Sequence, residues 1–203
     1  ENFENIREMI LSEKPDIVQF QEFSPQMQDK IKTLRSIFPY STELNKPKDI
    51  FDSLILSKHP LTNTKVDDNH VVITNLILNE EEEVSIVGIH LLIGGTKKNF
   101  NNALQQISYL KTIVNNTNKN LILLGDLNMT STSKRFAKFL KETNLYTYTS
   151  YKNITSTWPA FVPNFLGIQI DHVLFSNNFK MVDKKTSNSF GSVHRPLIVE
   201  LSY

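Results

Sequence analysis

The chain has 203 residues, of which 39% are apolar and 21% charged, a composition that is typical of a globular domain and excludes a disordered chain. Its 22 basic and 21 acidic residues give a net charge of +1, so no global basic field supports tight, sequence-independent nucleic-acid binding, although a local patch would suffice. The absence of cysteine excludes disulfides and thiolate metal sites. No apolar run reaches transmembrane length, and we expect a single domain over residues 1–203.

The chain opens on a helix. Apolar residues at helical spacing predict an amphipathic helix over residues 2–12. A short strand, Asp-Ile-Val-Gln-Phe, follows at 16–20 and leads to Glu22, after which Ser24 is predicted to cap a second helix. Because a strand–helix–strand unit begins with a strand, the sequence leads us to expect a first strand before Glu1.

The remaining elements mix strands with two further helices. Residues 144–169 are irregular and aromatic. The patterns predict strands at 50–57, 71–78, 84–90, 120–124, 168–175, 180–186 and 196–201, and helices at 98–116 and 131–140. This mixture favours a layered α/β domain with sheet at its core.

The run Leu-Ile-Leu-Leu-Gly at 121–125 predicts a strand that is buried on both faces. Its end delivers Asp126 and Asn128, whose period-two spacing places both side chains on one side of an extended backbone. This pair suits a metal or phosphate site. Gly-Asp-x-Asn is also ordinary turn chemistry, and the stretch alone leaves both interpretations open.

Other polar residues recur at predicted strand ends. Glu22 follows one strand and His90 ends another, while Asp171 lies in Ile-Asp-His-Val-Leu-Phe and His194 opens the last strand. Loops at strand ends can bring such groups together. Carboxylates suit Mg²⁺ or Mn²⁺, and histidines transfer protons near neutral pH, so the set predicts a phosphoryl-transfer site.

These residues lie in five short motifs that occur in one order along nearly the whole chain. The motifs are Pro15-Asp16-Ile17-Val18 through Gln21-Glu22, Gly88-Ile89-His90-Leu91, Gly125-Asp126-Leu127-Asn128, Ile170-Asp171-His172-Val173 and Ser192-Val193-His194-Arg195-Pro196. In this order they resemble the endonuclease/exonuclease/phosphatase superfamily, which includes pancreatic deoxyribonuclease and the AP endonucleases. The Thr157-Trp158-Pro159 loop is similar to a bacterial branch of it, some members of which carry N-terminal membrane helices.

The resemblance implies a fold and a reaction. The fold is a four-layer α/β sandwich, in which two packed mixed sheets are flanked by helices, and the family's first strand, with its metal-site Asn, would precede Glu1. The resemblance also implies that Glu22 ligates Mg²⁺ or Mn²⁺. Asp126 and Asn128 would orient the attacking water and stabilise the phosphoryl oxygens, and His90 would contact the phosphate or protonate the leaving oxygen.

The same resemblance implies a base and its partner. Asp171 would accept a hydrogen bond from His194 and fix its tautomer, and His194 would activate water. His172 follows Asp171 directly and faces the other way on a strand, so we interpret it as structural. A lone strand-end histidine such as His90 is also usually structural, and only its place among the five motifs favours a functional role.

One position departs from the family pattern. The family has Ser-Asp-His-Arg-Pro, whereas this chain has Val193 in place of the Asp. Three explanations compete: an enzyme with one fewer metal-site carboxylate and weaker Mg²⁺ affinity, an engineered or sporadic loss, or a member that binds without cleaving. A divalent-metal-dependent phosphodiesterase or nuclease is therefore the leading hypothesis, and a phosphate- or lipid-headgroup-binding domain of low or no activity is the alternative.

The substrate remains open, because deoxyribonucleases, inositol phosphatases and sphingomyelinases share this kind of site. We expect a phosphodiester or phosphomonoester substrate, on a nucleic acid or a lipid headgroup, with no obligate protein partner and a monomeric chain. The sequence does not localise the protein; we expect a soluble domain of either a membrane-anchored or a cytoplasmic bacterial protein.

Several neighbouring residues have simpler interpretations. Arg195 has phosphate as one possible partner, but solvent or a carboxylate is the expected one. Trp158 is expected to fill a gap in the packing rather than stack on a substrate base. Phe161, Phe165 and Leu166 would suit a lipid surface, but we expect them to be buried.

Overall fold

In a computed structural model of the chain, residues 2–42, 53–69, 71–92, 97–117, 120–148 and 155–203 are described. The helices are α1 (Phe3–Glu13), α2 (Pro25–Lys32), α3 (Lys97–Asn116) and α4 (Lys134–Thr143), with short 3₁₀ segments at Thr33–Ser36 and Asn164–Leu166. The strands are β1 (Ile17–Gln21), β2 (Tyr40–Ser41), β3 (Ser53–Ser57), β4 (Leu61–Val66), β5 (Val71–Ile77), β6 (Glu83–His90), β7 (Leu121–Asp126), β8 (Asp171–Phe175), β9 (Lys180–Thr186) and β10 (Leu197–Ser202).

The described strands form three hydrogen-bonded groups. A five-stranded sheet has the order β4-β5-β6-β7-β8, and its β6–β7 pair is parallel while its other pairs are antiparallel. A three-stranded antiparallel sheet has the order β1-β3-β2, and β9 pairs with β10 in an antiparallel hairpin. The parallel β6–β7 pair is joined through α3, which is the connection that parallel strands require.

Three apolar clusters separate four layers. Leu54 and Leu56 of β3 face a cluster that contains buried residues of α1 and α2, whereas Ile55 faces a second cluster between the sheets. The alternation repeats in β7, where Leu123 faces a third cluster beneath α3 and α4 and Ile122 packs against the cluster between the sheets. The helices therefore flank two packed sheets, which confirms the predicted α/β sandwich.

The structure corrects several predicted boundaries. The helix predicted at 131–140 begins at Lys134, because the Ser133 hydroxyl caps it by accepting a hydrogen bond from the Phe136 N–H at 3.1 Å. The short β2 and the polar, exposed edge strand β4 were not predicted, since neither carries apolar alternation. Residues 50–52 of one predicted strand lie outside the described residues.

None of the helices described here is long and apolar enough to cross a bilayer.

Gly125 allows the close approach of β7 to β6. Its φ is +139°, and a Cβ at this position would lie 1.9 Å from the Ile89 carbonyl oxygen. Only glycine adopts such a conformation without strain, and the adjacent backbone leaves no room for a side chain.

Gly125→Ala is expected to lower the free energy of unfolding by about 3 kcal/mol or more, because it combines backbone strain with a backbone clash. Gly88→Ala is the matched control, since its Cβ would meet mainly the flexible Gln19 side chain at 3.0 Å; its loss should be about 1 kcal/mol. Urea unfolding measures both losses, and equal losses would contradict this interpretation of Gly125.

Candidate active site

Three adjacent strands bring polar side chains to one edge of the five-stranded sheet. His90 at the end of β6 is the register partner of Asp126 at the end of β7. Asp126 is in turn the partner of Asp171, the first residue of β8. The backbone beyond these strand ends continues the pairing, because the Leu127 N–H donates to the Ile170 carbonyl at 3.0 Å. The sheet register therefore places His90, Asp126 and Asp171 side by side.

Asp126 and Asn128 form a turn that is also part of this edge. The Asn128 N–H donates to the Asp126 Oδ1 at 2.7 Å, and Asn128 itself has a left-handed φ of 47°. The Asn128 Nδ2 donates to the Leu91 carbonyl at 2.6 Å, which fixes the side-chain amide beside the end of β6. The stretch therefore forms the turn that the sequence allowed, and this turn holds both polar side chains at the edge of the sheet.

Gln21 connects the two sheets directly behind this edge, a role that sequence reasoning missed. Its side-chain amide donates to the Ile89 carbonyl, and its Oε1 accepts from the Asp126 N–H at 3.2 Å. Glu22 follows immediately, with a left-handed φ of 51° and an exposed side chain. Gln21 thus fixes the position from which Glu22 reaches the edge of the other sheet.

Glu22 lies beside a buried histidine. The His90 Nε2 is 3.3 Å from the Glu22 Oε1 and 3.9 Å from the Asp126 Oδ2. The Nε2 of His90 therefore lies near one carboxylate from each sheet.

A short polar contact joins Asp171 to His194. The His194 Nδ1 lies 2.9 Å from the Asp171 Oδ2, and its Nε2 lies 4.0 Å from the Asp126 Oδ2. A carboxylate accepts but does not donate, so Nδ1 carries the proton and the neutral ring has its lone pair on Nε2. That lone pair is on the side of the ring that is nearest to Asp126.

Burial and the charges of the cluster together change the pKa values of Asp126 and His194. Burial, followed by the negative charge of Asp171, raises the pKa of Asp126 to about 7. Burial alone would lower the pKa of His194, but the hydrogen bond to Asp171 and the charges of Asp171, Asp126 and Glu22 raise it overall. The acidic neighbours contribute to both rises, which shows that negative charge is concentrated at this site.

A cation would compensate this negative charge. Asp126, Asp171 and His194 offer ligand atoms that all lie within 4.8 Å of one another, and the Glu22 Oε1 lies 3.3 Å from the His90 Nε2, which is itself 3.9 Å from the Asp126 Oδ2. Carboxylate oxygens are the ligands that Mg²⁺ and Mn²⁺ prefer. The donor set therefore fits a hard divalent cation.

Thr157 holds the backbone of both members of the Asp171–His194 pair. Its buried hydroxyl accepts hydrogen bonds from the Ile170 and Asp171 N–H groups, each at 3.1 Å. Its carbonyl accepts from the Arg195 N–H at 2.8 Å. One residue of the Thr-Trp-Pro loop thus sets the distance between two distant parts of the chain.

Arg195 is half-buried, and its guanidinium donates to oxygens of the Thr-Trp-Pro loop, whereas the sequence led us to expect solvent or a carboxylate as its partner. Its Nη1 donates to the Ser156 hydroxyl at 3.0 Å, and its Nη2 donates to the carbonyls of Ala160, at 2.9 Å, and Val162. The guanidinium therefore organises the loop from within, because its planar set of donors matches several carbonyls at once.

His172 is structural, as expected from its position beside Asp171. It is buried, its ring stacks on Phe136 with centroids 4.3 Å apart, and its Nε2 lies 2.8 Å from the Met129 carbonyl. Burial lowers its pKa to about 4, so the ring is neutral at physiological pH.

The expectation of burial was wrong for the apolar residues of the loop. Phe161, Phe165 and Leu166 are all strongly exposed, and Trp158 is partly exposed at the base of the loop rather than filling a gap. The side chain of Val193, where the family has Asp, is also exposed. Composition could not reveal this, since apolar residues are usually buried.

The fold and this cluster at its strand ends define a class of protein. The sequence profile of the Endonuclease/Exonuclease/phosphatase family matches residues 1–193. The chain belongs to this family, which confirms the resemblance drawn from the five motifs. No curated protein sequence matches the chain.

Solved structures of bacterial proteins share the fold. A beta toxin variant from Staphylococcus aureus with bound magnesium ions is 18% identical, with a TM-score of 0.56 over 91% of this chain and 82% of that one. Sphingomyelinase C from Streptomyces griseocarneus is 18% identical, with a TM-score of 0.61 over 97% and 87% of the two chains. A mannosyl-6-phosphatase from Bacteroides thetaiotaomicron is 18% identical, with a TM-score of 0.65 over 98% and 90%.

Thr157→Val is expected to lower the free energy of unfolding by about 2–4 kcal/mol, because two buried N–H groups lose their acceptor. Thr157→Ser keeps the hydroxyl and should lose only about 1 kcal/mol for the deleted methyl group. Denaturant unfolding of both variants measures the difference, and a serine variant as unstable as the valine variant would exclude this role of the hydroxyl.

Proposed function

We propose that the protein is a divalent-metal-dependent phosphoester hydrolase in which His194 activates the attacking water. The observation that carries the proposal is the 2.9 Å contact between the His194 Nδ1 and Asp171, which leaves the Nε2 lone pair on the side of Asp126. This is the arrangement of a general base and the group that orients it. Membership of a family of nucleases and phosphatases supports the same reaction class.

Glu22 is proposed as the principal ligand of Mg²⁺ or Mn²⁺, with Asp126 and Asp171 adding negative charge nearby. The geometry supports this, because the His90 Nε2 lies 3.3 Å from the Glu22 Oε1 and 3.9 Å from the Asp126 Oδ2, which places the carboxylates close together. When bound, the cation stabilises the negative charge that builds on the phosphoryl oxygens. The magnesium ions in the beta toxin structure agree with this choice of metal.

The protein's own residues then divide the proton transfers between them. Asp171 holds the Nδ1–H of His194, so the Nε2 accepts a proton from water as the water oxygen attacks phosphorus. Asp126 and Asn128 orient that water and the phosphoryl oxygens; the Asn128 Nδ2 uses one proton for the Leu91 carbonyl and keeps a second to donate. As the bond between phosphorus and the leaving oxygen breaks, His90 supplies a proton to that oxygen.

The proposed substrates are phosphodiesters or phosphomonoesters. The named activities of two fold relatives, a sphingomyelinase and a mannosyl-6-phosphatase, are compatible with either. Nucleic acid is the alternative substrate, on one observation: α3 packs against α4, and Arg135 lies 4.7 Å from the Phe100 ring centroid, so the basic first turns of these helices lie together. A panel of DNA, phosphomonoesters and phospholipids, each with Mg²⁺ or Mn²⁺, separates the candidates.

His194→Ala is expected to lower kcat for bis(p-nitrophenyl) phosphate by about 10²- to 10⁴-fold, with KM little changed, because it removes the base but not the binding groups. His59→Ala is the matched control. His59 lies two residues after Ser57, and Ser57 pairs with Ile17 at the start of β1, whereas Glu22 follows the other end of that strand. Replacement of His59 should therefore leave kcat unchanged. Full activity of the His194 variant, or an equal loss in both, would refute the assignment of the base.

Val193→Asp is expected to raise Mg²⁺ affinity by about tenfold, because it adds an exposed carboxylate next to His194. The hydrolytic rate should rise with it at low Mg²⁺ concentration. Val193→Thr is the neutral control of the same shape. Calorimetric titration measures the Mg²⁺ affinity of both variants. An aspartate variant with no gain in affinity over the threonine variant would show that Val193 does not limit the metal site.

A further inference from the structure

The loop between the Thr157 anchor and β8 presents an apolar tip that the proposed reaction does not use. Phe161 is 80% exposed, Phe165 71% and Leu166 64%. Single exposed apolar residues are common, but three large ones within six positions mark an interaction surface. We name residues 158–168 the apolar loop.

The base of the apolar loop is fixed by hydrogen bonds. Trp158 and Ile168 pair through two backbone contacts, at 3.0 Å from the Trp158 N–H and 2.7 Å from the Ile168 N–H. The Arg195 guanidinium binds the loop carbonyls from inside, as described above. A Cβ on Gly167 would lie 2.5 Å from the Ser156 hydroxyl oxygen, so the chain is tightly packed there. The exposed tip is therefore held in place without burying its own side chains.

The apolar loop is continuous with the rim of the candidate active site. The Ala160 N–H donates to the Val193 carbonyl at 2.8 Å, and Val193, 53% exposed, directly precedes His194. An exposed Asp, the residue that the family has at this position, would keep a charge beside the loop. Val193 instead extends the apolar surface to the residue next to the proposed base.

The lack of charged side chains on this surface indicates which kind of partner it binds. Residues 158–168 contain no charged side chain, and neither do residues 186–193, the segment that leads to His194. A single-stranded nucleic acid would require basic residues alongside the aromatic ones, and these two segments offer none. An uncharged surface with two phenylalanines, a leucine and a tryptophan near its base matches the boundary between lipid headgroups and acyl chains.

We propose that the apolar loop, together with Val193, docks on the surface of a phospholipid bilayer. Docking would bring the site to the level of the headgroups, so that a phospholipid phosphodiester is the substrate class. The substrate half of this inference rests on the proposed function, whereas the docking half does not.

Co-sedimentation with phosphatidylcholine vesicles tests the docking, because zwitterionic lipid gives the lysines of the protein no net charge to bind. The triple variant Phe161→Ser/Phe165→Ser/Leu166→Ser should bind these vesicles about tenfold or more weaker than the unmodified chain, since three side chains lose their burial in lipid. Its hydrolysis of soluble bis(p-nitrophenyl) phosphate and its melting temperature should stay unchanged.

The matched control replaces three equally apolar, exposed residues that lie on α1, α3 and β9. Leu11→Ser/Leu104→Ser/Val182→Ser should bind vesicles as the unmodified chain does. Equal binding by the two triple variants, or no vesicle binding by the unmodified chain, would overturn the proposal. So would loop-dependent self-association, or loop-dependent binding to a single-stranded oligonucleotide without vesicle binding. If the chain binds vesicles but hydrolyses nothing, the proposed function fails and the docking surface remains.

Discussion

The geometry of the site depends on one hydrogen bond, from the His194 Nδ1 to the Asp171 carboxylate at 2.9 Å. The two residues are 23 positions apart in sequence and belong to separate segments, so neither segment alone fixes the contact. Thr157 fixes it by accepting from the Asp171 N–H with its hydroxyl and from the Arg195 N–H with its carbonyl. Because the same loop continues into an exposed apolar tip, the element that positions the proposed base also shapes the surface beside it.

The sandwich explains why the acidic residues meet. Gln21 joins the end of β1 to the ends of β6 and β7, and this contact brings Glu22 of one sheet near Asp126 of the other. Asp126, Asp171 and His194 offer ligand atoms within 4.8 Å of one another at this point, a donor set that fits a divalent cation. Val193 removes one negative charge from the rim of this site and replaces it with exposed apolar surface. On this account one substitution weakens metal binding and favours a lipid surface.

Much of the fold was predictable because local patterns decide it. Buried strands such as β7 are continuous apolar runs, and α3 carries a regular apolar stripe, so both follow from periodicity. The candidate site was predictable only through the order of its motifs, since a single strand-end carboxylate also suits a turn. The contacts of Gln21, Thr157 and Arg195 were not predictable, because they join residues that are distant in sequence and no local pattern marks them. The exposure of Phe161 was mispredicted for a related reason: apolar character indicates burial on average, and only the tertiary structure shows what covers a side chain.

The most direct test of the central claim is the pH dependence of kcat/KM for bis(p-nitrophenyl) phosphate with Mg²⁺, measured for the unmodified chain and for Asp171→Asn. The base must be neutral to accept a proton, and its pKa is raised by Asp171, so the rate should rise with pH through a pKa above the ordinary histidine value of about 6.5. Removing the carboxylate should move this rise to lower pH and reduce the plateau rate. An acidic limb that does not move in Asp171→Asn, or an unmodified chain without Mg²⁺-dependent turnover, would contradict the account.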